Sequence, residues 1–286
     1  MSTFPAELPD TMIKDAVRAA LQEDLGRAGD LTSQATISPE AKATAVLDCR
    51  EEGVVCGVEL ARAAFQALDP GLKFKALHHD GDAVTPGTDI ARISGNARSL
   101  LGAERVALNF ICHLSGIATR TARFVERVAH TKAAICCTRK TTPGLRSFEK
   151  YAVRCGGGSN HRYGLDDAIL IKDNHIAVAG GVAQAIRSAR AFAGHLVKIE
   201  VEVDTLEQLR TALDAGPDVV MLDNMSLDDL REGVALVAGR IPVEASGNVS
   251  LGTVKDIAET GVDMISTSKI TMSAGTLDLG LDMVIE

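Results

Sequence analysis

The sequence predicts an α/β protein in which a mixed N-terminal domain precedes a (β/α) barrel. Three observations predict it. From about residue 115, short apolar β-prone runs alternate with helical stretches, which implies parallel strands joined by crossover helices. Runs such as Val219-Val220-Met221-Leu222 are apolar throughout, as in a sheet buried on both faces. Nearly every run then ends in polar residues that a simple core does not need. In a barrel those ends open on one mouth, where active sites sit. A doubly wound open sheet also gathers polar strand ends. Their presence in every unit, rather than at one switch point, favours the barrel.

The elements follow in order. Met12, Ile13, Ala16, Val17, Ala20, Leu21 and Leu25 recur at helical spacing over Thr11–Leu25, and Gly26 supplies a stop. Ala43–Cys49 and Gly53–Cys56 read as short strands, and Glu59–Leu68 as a helix ended by Asp69-Pro70-Gly71. Leu72–Ile93 is punctuated by Asp80-Gly81-Asp82 and Pro86-Gly87, so it reads as strands joined by tight turns. Ser99–His113 is apolar at helical period and leads into the second domain. The later predicted strands are Ala134–Thr138, Ala168–Ile171, Leu196–Val203, Val219–Leu222, Ile241–Ala245 and Met264–Ser266. The predicted helices among them include Val182–Ala193, Leu206–Ala215, Leu227–Ala238 and Thr253–Thr260. The polar ends are Arg139-Lys140, Lys172-Asp173, Glu202, Asp223-Asn224, Glu244 with Ser246, and Ser266 with Ser268.

Composition narrows the function. The 286 residues suit one large domain or two ordinary ones. A formal net charge of -8 and 3% aromatics without Trp argue against a nucleic-acid partner. No apolar run approaches the roughly 18 residues that span a bilayer. The first ten residues show no basic stretch followed by an apolar one, so no secretory leader is read there. The expectation is a cytoplasmic protein with no membrane partner. The six cysteines form no CxxC pair and no zinc-finger spacing, and read as reduced, mostly buried thiols. Cys136 and Cys137, adjacent on a predicted strand, face opposite sides.

Against this acidic background, Thr138–His175 concentrates Arg139, Lys140, Arg146, His161, Arg162, Lys172 and His175 around Gly156-Gly157-Gly158. Cations beside backbone that can approach a ligand closely point to a small polyanion. The plainer alternative is a solvated basic face beside a flexible turn.

The chain resembles the quinolinate phosphoribosyltransferase family along nearly its whole length. The resemblance lies in Glu104–Phe110 (ERVALNF), His113–Thr119 (HLSGIAT), Thr138–Arg146 (TRKTTPGLR), Gly156–Arg162 (GGGSNHR), Ile171–His175 (IKDNH), Leu222–Met225 (LDNM) and Glu244–Asn248 (EASGN). It implies an N-terminal α/β sandwich over residues 1–114. It also implies an open (β/α) barrel of the type II phosphoribosyltransferase kind over 115–275, with the tail 276–286 packing back on the first domain. The implied reaction joins quinolinate to phosphoribosyl pyrophosphate with Mg²⁺ and yields nicotinate mononucleotide, pyrophosphate and carbon dioxide. The implied assembly is a homodimer with shared active sites, larger assembly being left open. Two positions depart from the family pattern. Cys137 stands where Asp is usual, and Ser268-Lys269-Ile270-Thr271-Met272-Ser273 where Gly-Ala-Leu-Thr-His-Ser is frequent.

By resemblance, Arg139, His161, Arg162 and Lys172 line the quinolinate pocket and Arg105 reaches in from the partner. Quinolinate carries two adjacent carboxylates, which suits planar guanidinium forks. An Arg105 paired on its own helix surface is the alternative. Lys140, Lys172 and Asn174 are expected to face phosphoribosyl pyrophosphate. Ser246, Gly247 and Asn248, with Ser266 and Ser268, suit a phosphate cradle, and ordinary N-capping is the alternative. Glu202 and Asp223 end consecutive strands. Paired carboxylates at a polyphosphate site suit Mg²⁺ and ribose hydroxyls, while a buried acid paired with Lys140 or Lys172 is the plainer reading. Lys140, Glu202 and Asp223 are the expected catalytic set. A ring with one carboxylate, a non-catalytic phosphosugar sensor and a structural scaffold are the competing functions. The four cations Arg139, His161, Arg162 and Lys172 favour a diacid, and a scaffold explains none of the polar strand ends.

Overall fold

The computed structural model describes residues 7–284. Residues 1–6, within the segment read for a leader, and 285–286, the end of the expected tail, lie outside the described residues.

The chain opens with α1 (Asp10–Leu25), α2 (Leu31–Thr36), β1 (Lys42–Cys49), β2 (Gly53–Val54), α3 (Val58–Leu68), β3 (Lys73–Ala76), β4 (Ala83–Val84), β5 (Asp89–Asn96) and α4 (Ala97–Val128). It continues with β6 (Ala134–Cys136), α5 (Arg146–Cys155), β7 (Ile169–Ile171), α6 (Asp173–Ala179), α7 (Val182–Phe192), β8 (Ile199–Val203), α8 (Leu206–Ala215) and β9 (Val219–Asp223). The last elements are α9 (Leu227–Val237), β10 (Val243–Ser246), α10 (Val254–Ala258), β11 (Met264–Ser266), a 3₁₀ turn at Ser268–Ile270 and β12 (Leu279–Val284).

Two compact units result. The first runs to Arg120 and adds Ser147–Gly157 and the chain from Ala274 onward; the second holds Thr121–Arg146 and Gly158–Ser273. The division is therefore discontinuous in sequence: against the expected 1–114 with a tail from 276, the first unit runs on to Arg120, takes in Ser147–Gly157 and includes the chain from Ala274. In the first unit, an antiparallel sheet has the order β12-β1-β5-β3. Its β1 buries Ala45, Leu47 and Cys49 on one face, the alternation expected of a half-covered strand. The α1 stripe of Ile13, Val17 and Leu21 packs at i, i+4, i+8 spacing, and α1 lies against α3, which buries Leu60, Ala61, Ala64 and Phe65.

The helix predicted over Ser99–His113 continues to Val128. The extension passes through Gly116. In the fold it sits inside α4 because the chain crosses it closely: a Cβ there would stand 2.2 Å from the Gly275 carbonyl oxygen. The glycine serves a close approach rather than a break.

The second unit is built on parallel strands in the order β6-β11-β10-β9-β8-β7. Ser159 bridges in parallel to Cys136 beyond β6, and among the described residues no ladder joins that edge to β7. The sheet is thus barrel-like and open. Val201, Val203, Val220 and Leu222 are fully buried, as expected of strands covered on both sides. Cys136 and Cys137 are both buried for the same reason. Three helices of the chain were not visible from periodicity, the six-residue Leu31–Thr36 among them. Arg146–Cys155 places Arg, Glu, Lys and Arg among its apolar residues, and Asp173–Ala179 is under two turns.

Candidate active site

The C-terminal ends of the parallel strands enclose a cavity of about 330 Å³. Its walls are Thr138, Arg139, Lys140, His161, Arg162, Leu170, Lys172, Met221, Glu244, Ser246 and Ser266. A volume of this order suits a small molecule, since ligand sites run from roughly 300 to 1,000 Å³. A larger groove of about 690 Å³ runs along β7, α6 and α7, but its lining is mainly aliphatic. The concentration of charge marks the smaller cavity.

Each wall is held by identifiable bonds. After β6, the Lys140 N–H donates to Thr138 Oγ1 at 3.0 Å, and the Lys140 carbonyl accepts from Thr271 Oγ1 at 2.8 Å. The departure at Ser268–Ser273 therefore retains a hydroxyl that ties this segment to the Lys140 loop, while Met272 stays exposed. Arg146 braces the same loop, donating to Thr141 Oγ1 at 3.1 Å and to the Arg139 carbonyl at 3.4 Å. The other departure, Cys137, donates its thiol to Asn160 Oδ1 at 3.3 Å.

His161 is fixed at both ring nitrogens. Its Nδ1 accepts from the Arg162 N–H at 2.8 Å, so the ring proton sits on Nε2, which donates to Glu200 Oε2 at 2.8 Å. The Arg162 guanidinium donates to the Ala168 carbonyl at 3.0 Å. Burial, followed by the nearby Arg139 guanidinium, pushes the Arg162 pKa below its ordinary value. Two like charges held together in a half-buried wall are at odds with each other until an anion arrives. Arg139 Nε is buried with no hydrogen-bond partner among the described residues. Lys172, at the end of β7, is paired with Glu202 of β8 by a short ammonium–carboxylate contact. The plainer reading of Glu202, an acid paired with a lysine, is thus present in this structure.

The remaining predicted residues spread around the same strand ends. Asp223 closes β9 and accepts from Asn224 Nδ2 at 2.6 Å. Asn224, Gly247 and Asn248 all take left-handed backbone, at φ 53, 90 and 52°. The Asn224 N–H donates to the Ser246 carbonyl at 2.9 Å, and Asn248 Nδ2 donates to Asn224 Oδ1 at 3.1 Å. Ser268 lies in the 3₁₀ turn, with Thr267 as its N-cap. Asn174 lines the larger groove, and Arg105 is exposed on α4 in the first unit.

Sequence reasoning left Glu200 out of the site and took Glu244 only as a polar strand end. The two carboxylates and His161 place one ligand atom each within 4.8 Å of one another. The available signal was Ile-Glu-Val-Glu-Val on β8, where Glu200 and Glu202 alternate with buried valines and so share one face. Burial, reinforced by the Glu200 charge, raises the Glu244 pKa to about 7, against the opposing influence of His161, Ser266 and Lys172.

A barrel-like parallel sheet whose strand ends surround a cation-walled cavity defines an α/β enzyme that handles small anionic substrates. The chain belongs to the quinolinate phosphoribosyl transferase family. The family's N-terminal domain matches residues 30–115 and its C-terminal domain residues 117–282. The chain is 46% identical over 263 residues to a probable nicotinate-nucleotide pyrophosphorylase [carboxylating] of Bacillus subtilis, covering 92% of this chain and 90% of that one. It is 43% identical to the corresponding Synechocystis protein, covering 97% and 95%. The solved nicotinate-nucleotide pyrophosphorylase from Francisella tularensis superposes with a TM-score of 0.94 at 40% identity, over 99% and 100% of the two chains.

Proposed function

We propose that the protein joins quinolinate to phosphoribosyl pyrophosphate and releases carbon dioxide, giving nicotinate mononucleotide and pyrophosphate in NAD synthesis. The observation that carries this reading is the pair of guanidiniums, Arg139 and Arg162, set with Lys140 and Lys172 around one cavity. A ring with a single carboxylate needs fewer cations. Arg139, Arg162 and Lys172 hold the two carboxylates, with His161 fixing the Arg162 backbone. Arg105, exposed on its helix, serves the partner's cavity in a homodimer. The larger groove supports a partner copy, because Leu165 and Val178 on it are 72% and 91% exposed. No helix among the described residues is long and apolar enough to cross a membrane, and the six cysteines are free thiols, which supports work in the cytoplasm.

The pyridine nitrogen is already a nucleophile, so no base is required. Catalysis then rests on positioning and on charge placed where the leaving pyrophosphate develops it. Lys140 supplies that charge from the β6 loop. Glu202 and Asp223 offer hard oxygen ligands at the ends of adjacent strands, and Mg²⁺ commonly takes one or two carboxylates plus water and phosphate. The donor set fits. Glu202 and Asp223 would hold Mg²⁺ there, and its charge would offset that of the pyrophosphate. Lys172 would then exchange its contact with Glu202 for one to substrate.

The backbone of Gly247 forms part of the 5-phosphate cradle with Ser246, Asn248, Ser266 and Ser268. A Cβ at Gly247 would stand 2.2 Å from Asn224 Oδ1 and 2.9 Å from its backbone nitrogen. Gly247→Ala should therefore shift this loop at a cost of about 1–3 kcal/mol, raising the KM for phosphoribosyl pyrophosphate roughly tenfold. An unchanged KM would remove the loop from the phosphate site.

The direct test mixes purified protein with quinolinate, phosphoribosyl pyrophosphate and Mg²⁺ and follows nicotinate mononucleotide by chromatography, with nicotinate as the parallel substrate. Product that needs all three components supports the reading. Product from nicotinate alone would move the substrate to a single-carboxylate ring.

A further inference from the structure

We propose that Glu244 is the general acid that returns a proton to the pyridine ring carbon from which carbon dioxide departs. The inference rests on the transferase reading above. In that step the bond between the ring carbon and its carboxylate breaks, and the electron pair stays on the ring carbon beside the quaternary nitrogen. The Glu244 carboxyl proton then forms the new C–H bond, leaving a carboxylate that solvent reprotonates between turnovers. Nothing is oxidised or reduced.

The cavity contains few alternatives. The guanidiniums of Arg139 and Arg162 do not give up protons, and the hydroxyls of Thr138, Ser246 and Ser266 are far weaker acids. The His161 proton lies on Nε2, directed at Glu200. Lys172, paired with Glu202 in the free protein, passes in the reading above to the substrate carboxylates, and its ammonium is committed to them. Lys140 remains as the rival donor. Glu244 is 1% exposed yet lines the cavity, and its Oε1 has no hydrogen-bond partner among the described residues. A buried carboxyl in that state is neutral at little cost and expensive to ionise.

The groups facing it are Glu200 from β8, His161 from the segment before β7, Lys172 from the end of β7, Ser266 from β11, and the uncharged Met221 from β9. With its pKa raised to about 7, Glu244 carries the transferable proton below that pH and loses it above. Product formation should slow as pH rises through that value.

The test is a single turnover with enzyme in excess over quinolinate, with pyrophosphate and nicotinate mononucleotide both quantified. The wild type should release them together. Glu244→Gln keeps the shape and removes the acid, so carbon dioxide can re-add to an unquenched carbanion. Pyrophosphate release should then stay near the wild-type rate while nicotinate mononucleotide slows at least about tenfold, with the dicarboxylated mononucleotide accumulating. Glu244→Asp should restore part of the second step, and the fall in its rate near pH 7 should vanish in Glu244→Gln. The proposal is overturned if Glu244→Gln forms product at the wild-type rate, or slows both products equally while remaining folded. It is also overturned if Lys140→Ala, rather than Glu244→Gln, separates the two products. A wild type that releases no pyrophosphate would sink the transferase reading itself.

Discussion

Lys140→Ala should lower turnover by about 10²–10³-fold, the loss typical of removing one charge-stabilising donor from a transition state. Its melting temperature should change by less than about 2 °C, because exposed side chains rarely matter to stability. Lys140 is exposed, and among the described residues no hydrogen bond or ion pair holds its ammonium. Its backbone alone ties the loop, through Thr138 and Thr271, and alanine keeps both bonds. Fold and function therefore separate cleanly at this position. Steady-state kinetics beside a thermal melt would show it, and a fully active variant would take Lys140 out of the mechanism.

Arg139→Ala should weaken quinolinate binding by about 2–5 kcal/mol, roughly 30-fold to several-thousand-fold, as expected when one partner of a desolvated charge pair is truncated. The free protein should not suffer. Arg139 Nε has no partner among the described residues, and its positive charge disfavours the charged form of Arg162. Removing it relieves that repulsion, so the melting temperature should hold or rise. Adding quinolinate should stabilise the wild type far more than the variant. Arg139→Lys should recover only part of the affinity, since an ammonium lacks the planar fork. Calorimetric titration decides the matter, and equal quinolinate affinity in the two proteins would place the carboxylates elsewhere.

The parts of this fold that announce themselves in sequence are those with a strong period. The α8 helix at Leu206–Ala215 and the β9 strand at Val219–Asp223 sit where apolar spacing puts them. The α5 helix does not, because Arg146, Glu149, Lys150 and Arg154 interrupt its apolar face. Glu149 and Lys150 are nevertheless buried, which only tertiary structure can arrange. The extension of α4 past Gly116 was hidden for a related reason, since a glycine that permits a crossing looks the same in sequence as one that ends a helix. Within the cavity, Arg139, Lys140, His161, Arg162 and Lys172 could be named from motifs. Glu200 could not, since a carboxylate between valines reads as part of a buried strand until its neighbours across the sheet are known.

The pairing of β1 with β12 has a consequence for biosynthesis. Thr44 to Cys49 lie opposite Val284 to Leu279, so an early strand waits for a late one. At roughly 5–20 residues per second, a ribosome takes on the order of ten seconds or more to supply the missing edge. During that interval β1 has β5 on one side and an open backbone edge on the other, the kind of surface that recruits foreign strands. The barrel strands, by contrast, are complete once β11 emerges. The nascent chain should therefore acquire its second unit's sheet before its first, and a translational pause shortly before Leu279 would prolong exposure of that open β1 edge.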